Sequence, residues 1–457
     1  MYDIAIIGGG VAGASVAYHL YSIPDFRGKV IILESGIIGK GVDTTYKLEN
    51  ENFVNTLGEE NKYKPWQSGS NVFENPNRIK MIVTCFASTA KEFMSHHGMK
   101  GMELYNRLAS FGRDQQVRIA GEMWRSTDSK VFNNLLSDEL GCIQLGSLMV
   151  CDESELKEFK EEFELLKRAG FEVEWWDKEK VDELHGKQAN FYAGIFFPKD
   201  AIINSSSYAQ RLVECCKKLG LEIREHSSVV EVTEIKKTER ENINKLNNLP
   251  MEDKLVEIIL ESKEKIYANK VVMATGGLYF DKTIAGILRP CYSYLSATKL
   301  NIDYKNKSNI DKMKNSPNYF TFGFTHDWAL CQGYLRISGE DHFSALKSPR
   351  MTLRCNTLEQ WGFDKYPHLK TVSNINESQY VNGIYSETPD LLPILGSVSN
   401  NSNVLYIMGC NAWGQAILSA AAFLVPALLG QRNLTKEEKE LTNFLSIRRF
   451  RINIAKF

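Results

Sequence analysis

The chain opens with a pattern of apolar and small residues that predicts a strand, a glycine-rich turn and a helix. Residues Tyr2–Ile7 form a β-branched apolar run of the kind found in strands buried on both faces. The segment GGGVAGASVAYHL follows, and its residues 14–20 are small and apolar, as suits a buried helix. A second apolar run at 29–33 ends at Glu34. The pattern therefore predicts a βαβ unit at the start of the chain.

Three glycines in this turn, Gly8, Gly10 and Gly13, have the GxGxxG spacing of dinucleotide-binding folds. In that fold the first permits a tight turn, the second lets backbone approach a pyrophosphate, and the third lets the helix pack closely on the strand. The N-terminal amides of the helix then face the phosphates. An acidic residue after the second strand accepts hydrogen bonds from ribose hydroxyls, which assigns that role to Glu34 and argues against NADP. The spacing by itself fits both FAD and NAD.

The patterning from residue 205 to 277 predicts one further helix and several strands. The helix is expected over 205–219 and ends at Gly220. Strands are expected at 221–224, 229–232, 255–260 and in KIYANKVVMATGG at 265–277, where Thr275, Gly276 and Gly277 let backbone approach a nucleotide. The polar stretch 236–254 is rich in Lys, Asn and Glu, and we expect a solvated hairpin tip or a disordered insert.

The middle of the chain predicts a second structural unit. Residues 88–127 are expected to be helical, because apolar residues recur near helical spacing and indicate core packing. These residues are Leu104, Leu108, Phe111 and Val117. A strand at 142–151, a helix at 153–169 and a strand at 171–175 follow. Strand-like segments at 321–328 and 333–338 favour an antiparallel sheet.

The C-terminal part contains a second strand–glycine–helix pattern. It reads YVNGIYSETPDLLPILG and then VLYIMGCNAWGQAILSAAAFLVPALLG. A strand at Val404–Met408 meets a glycine turn at Gly409, and a helix is expected to start near Gly414. The amides at the start of that helix would face an anionic or carbonyl-rich group.

Composition narrows the class of protein. The net charge of −1 over 457 residues gives no basic footprint for nucleic acid. The nine cysteines form no CxxC pair, the eight histidines have no HxxxH spacing, and no metal site is predicted. No signal peptide precedes the first strand, and the late apolar stretch 416–429 is too short for a membrane span. We therefore expect a cytoplasmic protein of the α/β class that acts on a small molecule.

Taken in order, these motifs resemble the FAD-dependent oxidoreductases of the D-amino acid oxidase and glycine oxidase (DAO) family. The resemblance rests on GGGVAG with Glu34, on ATGG at 274–277, on SETPDLLPILG at 386–396, on GCNAWGQ at 409–415 and on the ending FLSIRRF. It implies a Rossmann-like FAD-binding domain with a discontinuous chain, made of residues 1–90, 201–288 and 380–457. It also implies an α+β substrate domain with a mostly antiparallel sheet at 141–200 and 289–379, linked by a helical segment at 91–140.

The resemblance further implies non-covalently bound FAD and the residues that hold it. The ADP half would lie against the first glycine turn and Glu34, with backbone near Val230 flanking the adenine. Thr44 and Thr45 would contact the pyrophosphate and flavin, and the turn after Gly409 would line the isoalloxazine. The full cofactor set is Gly8, Gly10, Val11, Ala12, Gly13, Glu34, Ser35, Thr44, Thr45, Val230, Thr275, Gly276, Gly409, Asn411, Ala412, Trp413, Gly414 and Gln415.

The sequence departs from family patterns at three places. Tyr385 stands where many relatives carry the arginine that binds the substrate carboxylate, and Arg336 is one candidate for a replacement. Gly383 stands where some relatives attach flavin through a cysteine. Ala416 stands where those relatives carry a lysine that assists oxygen, so the electron acceptor is left open between oxygen, a quinone and a carrier.

The expected reaction is hydride transfer from the C–H bond of an amine or amino acid to flavin N5, which gives an imine. His326 and Asp327 in FTFGFTHDW are expected to orient the substrate, with Arg336 and Tyr385 in the same pocket. The alternatives are an FAD-dependent 2-hydroxy-acid dehydrogenase and an FAD-loaded protein without turnover that serves RNA modification or assembly. A Rossmann enzyme that uses NAD alone is a further alternative.

Overall fold

The first apolar runs form parallel neighbours in one sheet, because both are β-branched and buried and a helix crosses between them. The computed structural model describes residues 1–40, 44–47, 79–126, 142, 144–235, 255–277, 282–301, 316–331, 333–344 and 350–450. The strands are β1 Tyr2–Ile7, β2 Val30–Leu33, β3 Thr44–Lys47, β4 Ile79–Ile82, β5 Ser147–Cys151, β6 Glu174–Trp176, β7 Ala193–Phe197, β8 Ala201–Asn204, β9 Glu222–Arg224, β10 Val229–Ile235, β11 Leu255–Leu260, β12 Lys265–Met273, β13 Arg289–Leu300, β14 Asn318–Thr321, β15 His326–Cys331, β16 Tyr334–Phe343, β17 Ser373–Glu387, β18 Ile394–Gly396 and β19 Val404–Met408.

Helices lie between these strands. They are α1 Val11–Tyr21, α2 Ala90–Ser126, α3 Leu156–Arg168, α4 Lys178–His185, α5 Ser205–Lys217, α6 Lys282–Ala285, α7 Met351–Lys365, α8 Pro367–Val372, α9 Gly414–Leu428 and α10 Lys436–Phe444. Short 3₁₀ turns occupy Glu153–Glu155, Lys187–Ala189 and Ile447–Phe450. Helix α2 is interrupted at Gly98, whose φ of 64° is not helical.

The first sheet carries the predicted βαβ unit. Strand β1 pairs in parallel with β2 on one side and with β12 on the other, and β12 pairs in parallel with β19. Strand β9 extends the parallel part beyond β2, and the hairpin β10–β11 adds antiparallel strands beside β12. Helices α1, α5 and α9 pack together over this sheet, where their small residues Ala14, Ala17, Ala420 and Ala421 are fully buried. This arrangement confirms a Rossmann-like first unit.

The second sheet is mostly antiparallel. Among the described residues its strand order is β3-β17-β13-β16-β15-β14-β5-β7-β6, and β14–β5 is a parallel pair within it. Strand β17 crosses residue 380, where the sequence placed the start of the last FAD-domain segment, and pairs throughout in this sheet. The exact division of the chain into domains stays a prediction.

Several sequence expectations are refined by the structure. The strand expected at 142–151 begins only at Ser147, after Gly146 with φ 79°. Within the segment 321–328, residues 322–325 form a hairpin turn with Phe324 at φ 55°, whereas Thr321 ends β14 and residues 326–328 begin β15. Phe111 was expected in the core, but it is 36% exposed and packs edge-on against Phe423. The polar stretch 236–254 lies outside the described residues.

The late apolar stretch is the buried helix α9. Its residues Ile417, Ala421 and Val425 are at most 1% exposed. Gly112 of α2 packs so closely on α9 that a Cβ there would lie 1.8 Å from the Ala416 carbonyl oxygen. Across the described residues, no helix has both the length and the apolar character needed to cross a membrane.

Candidate functional site

A cleft of about 550 Å³ lies where the two sheets meet. From the first sheet it is lined by backbone at the start of α1, after β12 and at the start of α9. From the second sheet it is lined by side chains of β13, β15, β16 and β17. The predicted residues that it brings together are Gly10, Val11, Ala12, Gly276, His326, Asp327, Arg336, Tyr385, Ala412, Trp413, Gly414 and Gln415.

The three glycines of the first turn have three different environments. Gly8 has φ 104°, and a Cβ there would lie 2.4 Å from the Ala274 carbonyl oxygen of the neighbouring strand. A Cβ on Gly13 would lie 2.0 Å from the carbonyl oxygen of Gly8, so only glycine lets α1 pack this closely. A Cβ on Gly10 would meet no atom within 4 Å, because Gly10 faces the cleft.

Two helices begin at this cleft without a side-chain cap. Helix α1 follows Gly10 and α9 follows Trp413, and neither has a capping side chain or an acidic residue in its first turn. The first amides of a helix lack intrahelical acceptors and carry partial positive charge. Both helix starts are therefore available to an anion or a carbonyl group in the cleft.

Glu34 stands directly beside the first glycine turn. It is 8% exposed, and its Oε2 accepts a hydrogen bond from the Gly9 amide at 2.7 Å. Its Oε1 accepts from the Gly36 amide at 2.7 Å and from the Ser35 hydroxyl at 3.3 Å. These bonds fix the carboxylate at the end of β2 and leave lone pairs for further donors. Neither Glu34 nor Ser35 lines the cleft itself.

Asn411 holds the second glycine turn in place from outside the cleft lining. Gly409, Asn411 and Ala412 have φ of 75°, 49° and 66°, a conformation that costs energy for residues other than glycine. The Asn411 Oδ1 accepts from the Thr388 amide at 2.8 Å, and its Nδ2 donates to the Gly409 carbonyl at 2.9 Å. Asn411 is 4% exposed and so orients the turn from behind.

Arg336 brings a buried positive charge into the cleft. The residue is 4% exposed, and its Nη1 lies 3.5 Å from Oδ1 of Asp327. The Oδ2 of Asp327 accepts a hydrogen bond from the Ser338 hydroxyl at 2.6 Å. Among the described residues, no atom accepts a hydrogen bond from Nε or Nη1 of Arg336. A buried guanidinium with unused donors is costly unless an acceptor joins it, so this group points to an anionic ligand.

His326 borders the same space as a neutral base. Its ring stacks on Trp361 with centroids 4.3 Å apart, and its Nδ1 lies 3.0 Å from the Thr325 hydroxyl. Burial lowers the pKa of His326 to about 4, so the imidazole is uncharged near pH 7. It can therefore accept or donate a hydrogen bond without adding charge next to Arg336.

Tyr385 is bonded to an aspartate that the sequence analysis did not select. Its hydroxyl donates to Oδ2 of Asp341 at 2.7 Å, with Oε1 of Glu387 3.5 Å away. Burial raises the pKa of Tyr385, so it remains a neutral donor. The structure also brings Ser293, Ser338, Asp341 and Glu387 to the cleft, and none of these was predicted.

The comparisons with known proteins agree with this geometry. The family model described as "FAD dependent oxidoreductase" (DAO) matches residues 3–426. This chain belongs to the DAO family. No sequence among the curated proteins is significantly similar to it.

Solved structures of other proteins share the fold of this DAO-family chain. Glycine oxidase from Geobacillus kaustophilus is 16% identical with a TM-score of 0.67, and the match covers 95% of this chain and 96% of that one. L-proline dehydrogenase from P. horikoshii is 16% identical with a TM-score of 0.59, covering 98% of both chains. A modified fructosyl peptide oxidase from Aspergillus nidulans is 12% identical with a TM-score of 0.64, covering 96% and 93%.

The cleft fits the FAD of this family on structural grounds. Gly10 leaves open space in front of an uncapped helix, which suits a pyrophosphate, and α9 presents a second uncapped start in the same cleft. Strand β3 carries Thr44 and Thr45, whose backbone pairs with Asn382 and Val381 at the cleft. The side chains of Thr44 and Thr45 are not among those described.

Two residues predicted to bind the cofactor, Thr275 and Val230, lie outside the cleft lining. The Thr275 hydroxyl lies 3.8 Å from Sδ of Met408. Val230 lies at a bulge between β10 and β11 and is 48% exposed. Ala416 is 1% exposed inside α9, so this family member has no side chain reaching the cleft from that position. Gly383 does line the cleft.

Proposed function

We propose that this DAO-family enzyme oxidises an amine that carries a carboxylate, in other words an amino acid, with FAD bound non-covalently. The observation that carries the proposal is the Arg336 guanidinium, which is buried in the same cleft as two uncapped helix starts. Two of its nitrogens have no acceptor in the part of the chain that the structure describes. A planar, permanently charged guanidinium suits a carboxylate because it can donate two parallel hydrogen bonds.

In this proposal the first sheet holds the cofactor. The pyrophosphate lies at the start of α1 against Gly10, and Glu34 accepts hydrogen bonds from the ribose. Thr44, Thr45, Val230, Thr275 and Gly276 keep the roles that the family resemblance implies for them. The start of α9 faces the flavin ring, where its partial positive charge stabilises negative charge. Gly383 offers no thiol for covalent attachment.

The second sheet holds the substrate. Arg336 donates to the carboxylate, and Asp327 keeps the guanidinium in place with the help of Ser338. Neutral His326 accepts a hydrogen bond from the substrate amine. Trp413 packs edge-on against Phe320 and Phe324, with centroids 4.8 and 5.1 Å apart, and this aromatic wall excludes water from the cleft.

When bound, FAD supplies a hydride acceptor, so that the substrate C–N bond becomes an imine. The contribution of the chain is to fix the carbon that gives up the hydride and to exclude water. Arg336 fixes one end of the substrate, and His326 fixes the amine. Glycine oxidase and L-proline dehydrogenase, which share this fold, are named for the oxidation of amino acids, and this supports the same class of substrate here.

Bleaching of the flavin absorbance under anaerobic conditions tests the proposal. We expect amino acids to bleach the wild-type protein and 2-hydroxy acids to leave it coloured. In Arg336→Gln the apparent substrate Kd should rise about 100-fold, because a desolvated charge pair contributes roughly 2–5 kcal/mol. The matched control is Arg118→Gln, which removes a half-exposed arginine on α2 and should leave Kd unchanged.

Three results would contradict the proposal. If only hydroxy acids bleach the flavin, the protein is better described as an FAD-dependent 2-hydroxy-acid dehydrogenase. If no amine bleaches the flavin, the result favours an FAD-loaded protein without turnover. A colourless purified protein that takes up no added FAD would contradict the cofactor assignment. Admitting air, or a quinone, to the bleached protein then identifies the electron acceptor.

A further inference from the structure

A β-bulge places a second charged residue of β16 on the cleft face. Arg336 and Ser338 are two residues apart and point to the same side, so simple alternation would turn Asp341 away from them. Between Tyr292 and Tyr294 of β13, however, β16 carries one extra residue, and Gly339 and Glu340 have φ of 145° and 54°. The extra residue reverses the alternation, and Asp341 therefore lines the same cleft as Arg336.

The carboxylate of Asp341 has hydrogen-bond donors but no cation. It accepts from the Tyr385 hydroxyl at 2.7 Å, and Ser293 supplies a further hydrogen bond. The other two acids of the cleft each have an arginine: Asp327 pairs with Arg336 at 3.5 Å and Glu387 pairs with Arg289 at 2.8 Å. Within the described part of the chain, no lysine or arginine forms an ion pair with Asp341.

Arg336 provides an independent sign that a ligand belongs here. It is buried and lines the cleft, and two of its nitrogens have no acceptor within the described ranges of the chain. Among the described residues, one end of this stretch of β16 thus carries guanidinium nitrogens without hydrogen-bond acceptors, and the other end carries a carboxylate without a paired cation. At a rise of about 3.3 Å per residue, with one residue taken up by the bulge, the two Cα atoms lie roughly 13 Å apart.

We propose that Asp341 and Tyr385 form a subsite for a second cationic group on the substrate. This inference rests on the proposed function, in which Arg336 binds the substrate carboxylate. The roughly 13 Å between the two Cα positions suits a ligand whose carboxylate and distant ammonium are separated by a chain of about four to six carbons. The substrate class is then a basic amino acid or a compound of that shape, rather than a small neutral one.

A pair of ligands that differ at one end tests the subsite without turnover. Hexanoate and 6-aminohexanoate share the carboxylate and chain, and only the second carries a terminal ammonium. Isothermal titration of the FAD-loaded protein should give a Kd at least tenfold lower for 6-aminohexanoate. In Asp341→Asn, which keeps the shape and the Tyr385 contact, this preference should disappear. Tyr385→Phe should reduce it in part.

Controls separate this inference from the proposed function. Glu164→Gln removes an exposed acid of α3 far from the cleft and should keep the full preference. Arg336→Gln should weaken both ligands equally. The subsite is overturned if the wild type binds both ligands equally well, or if it binds neither measurably. It is also overturned if the preference for 6-aminohexanoate survives Asp341→Asn. Because these measurements need no oxidation, amino acids could still bleach the flavin while the subsite fails.

Discussion

The starts of three helices show how the same backbone feature is used in two ways. At the start of α2, the Ala90 amide donates to both carboxylate oxygens of Glu162, at 2.9 and 2.8 Å, and the Thr89 hydroxyl accepts from the Glu92 amide at 3.2 Å. The starts of α1 and α9 have no capping side chain and no acid in the first turn.

The difference between these helix starts follows their surroundings. Helix α2 begins in the core, where an unsatisfied amide would be costly, and the chain provides its own carboxylate. Helices α1 and α9 begin at the cleft, where a carboxylate from the chain would occupy the place of a ligand. We therefore infer that the chain itself completes the start of α2, and that in the proposed function the bound cofactor completes the starts of α1 and α9.

The largest expected effect comes from moving α1 away from its strand. In Gly13→Ala the new Cβ would lie 2.0 Å from the Gly8 carbonyl oxygen, a backbone atom that cannot move aside. We expect a loss of about 3 kcal/mol or more in the free energy of unfolding, measured by urea denaturation. Gly10→Ala is the matched control, because its Cβ meets no atom within 4 Å. Equal stability of the two variants would contradict this account of the turn.

The glycine turn could be predicted from the sequence because its parts are local. Strand, turn, helix and second strand fall within 34 consecutive residues, and each glycine's role follows from its position in the motif. The second turn at Gly409–Gly414 was predictable for the same reason. What the motif did not indicate is that Asn411 supports this turn from behind, because that role depends on Thr388 and Gly409.

The substrate side of the cleft could be predicted only in part. Arg336, His326 and Asp327 were selected as candidates and do line the cleft together. Asp341 was missed because strand alternation places it on the opposite face from Arg336, and only the bulge at Gly339 and Glu340 reverses that. A bulge depends on the pairing with β13, about 45 residues away, which no local pattern reveals.

The second prediction tests whether the start of α1 is reserved for a ligand. Asp is among the residues preferred at a helix N-cap, and Gly10 has φ −73°, a conformation open to Asp. In Gly10→Asp the carboxylate should cap α1 and raise the stability of the FAD-free protein by about 0.5–1 kcal/mol. The same carboxylate should repel the pyrophosphate and lower FAD affinity about 100-fold or more, roughly 3 kcal/mol.

Two measurements decide this prediction. Thermal unfolding of the FAD-free protein gives the stability, and titration with FAD followed by flavin fluorescence gives the affinity. Gly10→Asn is the matched control, because it caps the helix without a charge and should lose less affinity than Gly10→Asp. Retention of FAD by Gly10→Asp with wild-type affinity would show that the start of α1 is not where the cofactor phosphates lie.

The third prediction concerns the start of α2, which the chain caps with its own carboxylate. Burial raises the pKa of Glu162 from 4.5 to about 7, although the Ala90 hydrogen bond opposes this. A group whose pKa is raised on folding stabilises the protein below its unfolded pKa and loses that contribution as pH rises through its folded pKa. The contribution of Glu162 to the free energy of unfolding is therefore fully present below about pH 4.5, falls as pH rises through about 7, and is lost by pH 8.

Glu162→Gln should remove this dependence, because the amide keeps an oxygen for Ala90 and does not ionise. The variant and the wild type should be equally stable at pH 4, and the variant should be more stable at pH 8 by up to about 3 kcal/mol. Urea denaturation across this range measures the difference, with exposed Glu164→Gln on the same helix as control. If the free energy of unfolding changes with pH in the same way for Glu162→Gln and the wild type, burial does not disfavour the ionised form of Glu162. In that case a buried helix start would satisfy a carboxylate fully, and the open starts at the cleft would attract an anion more strongly than we infer.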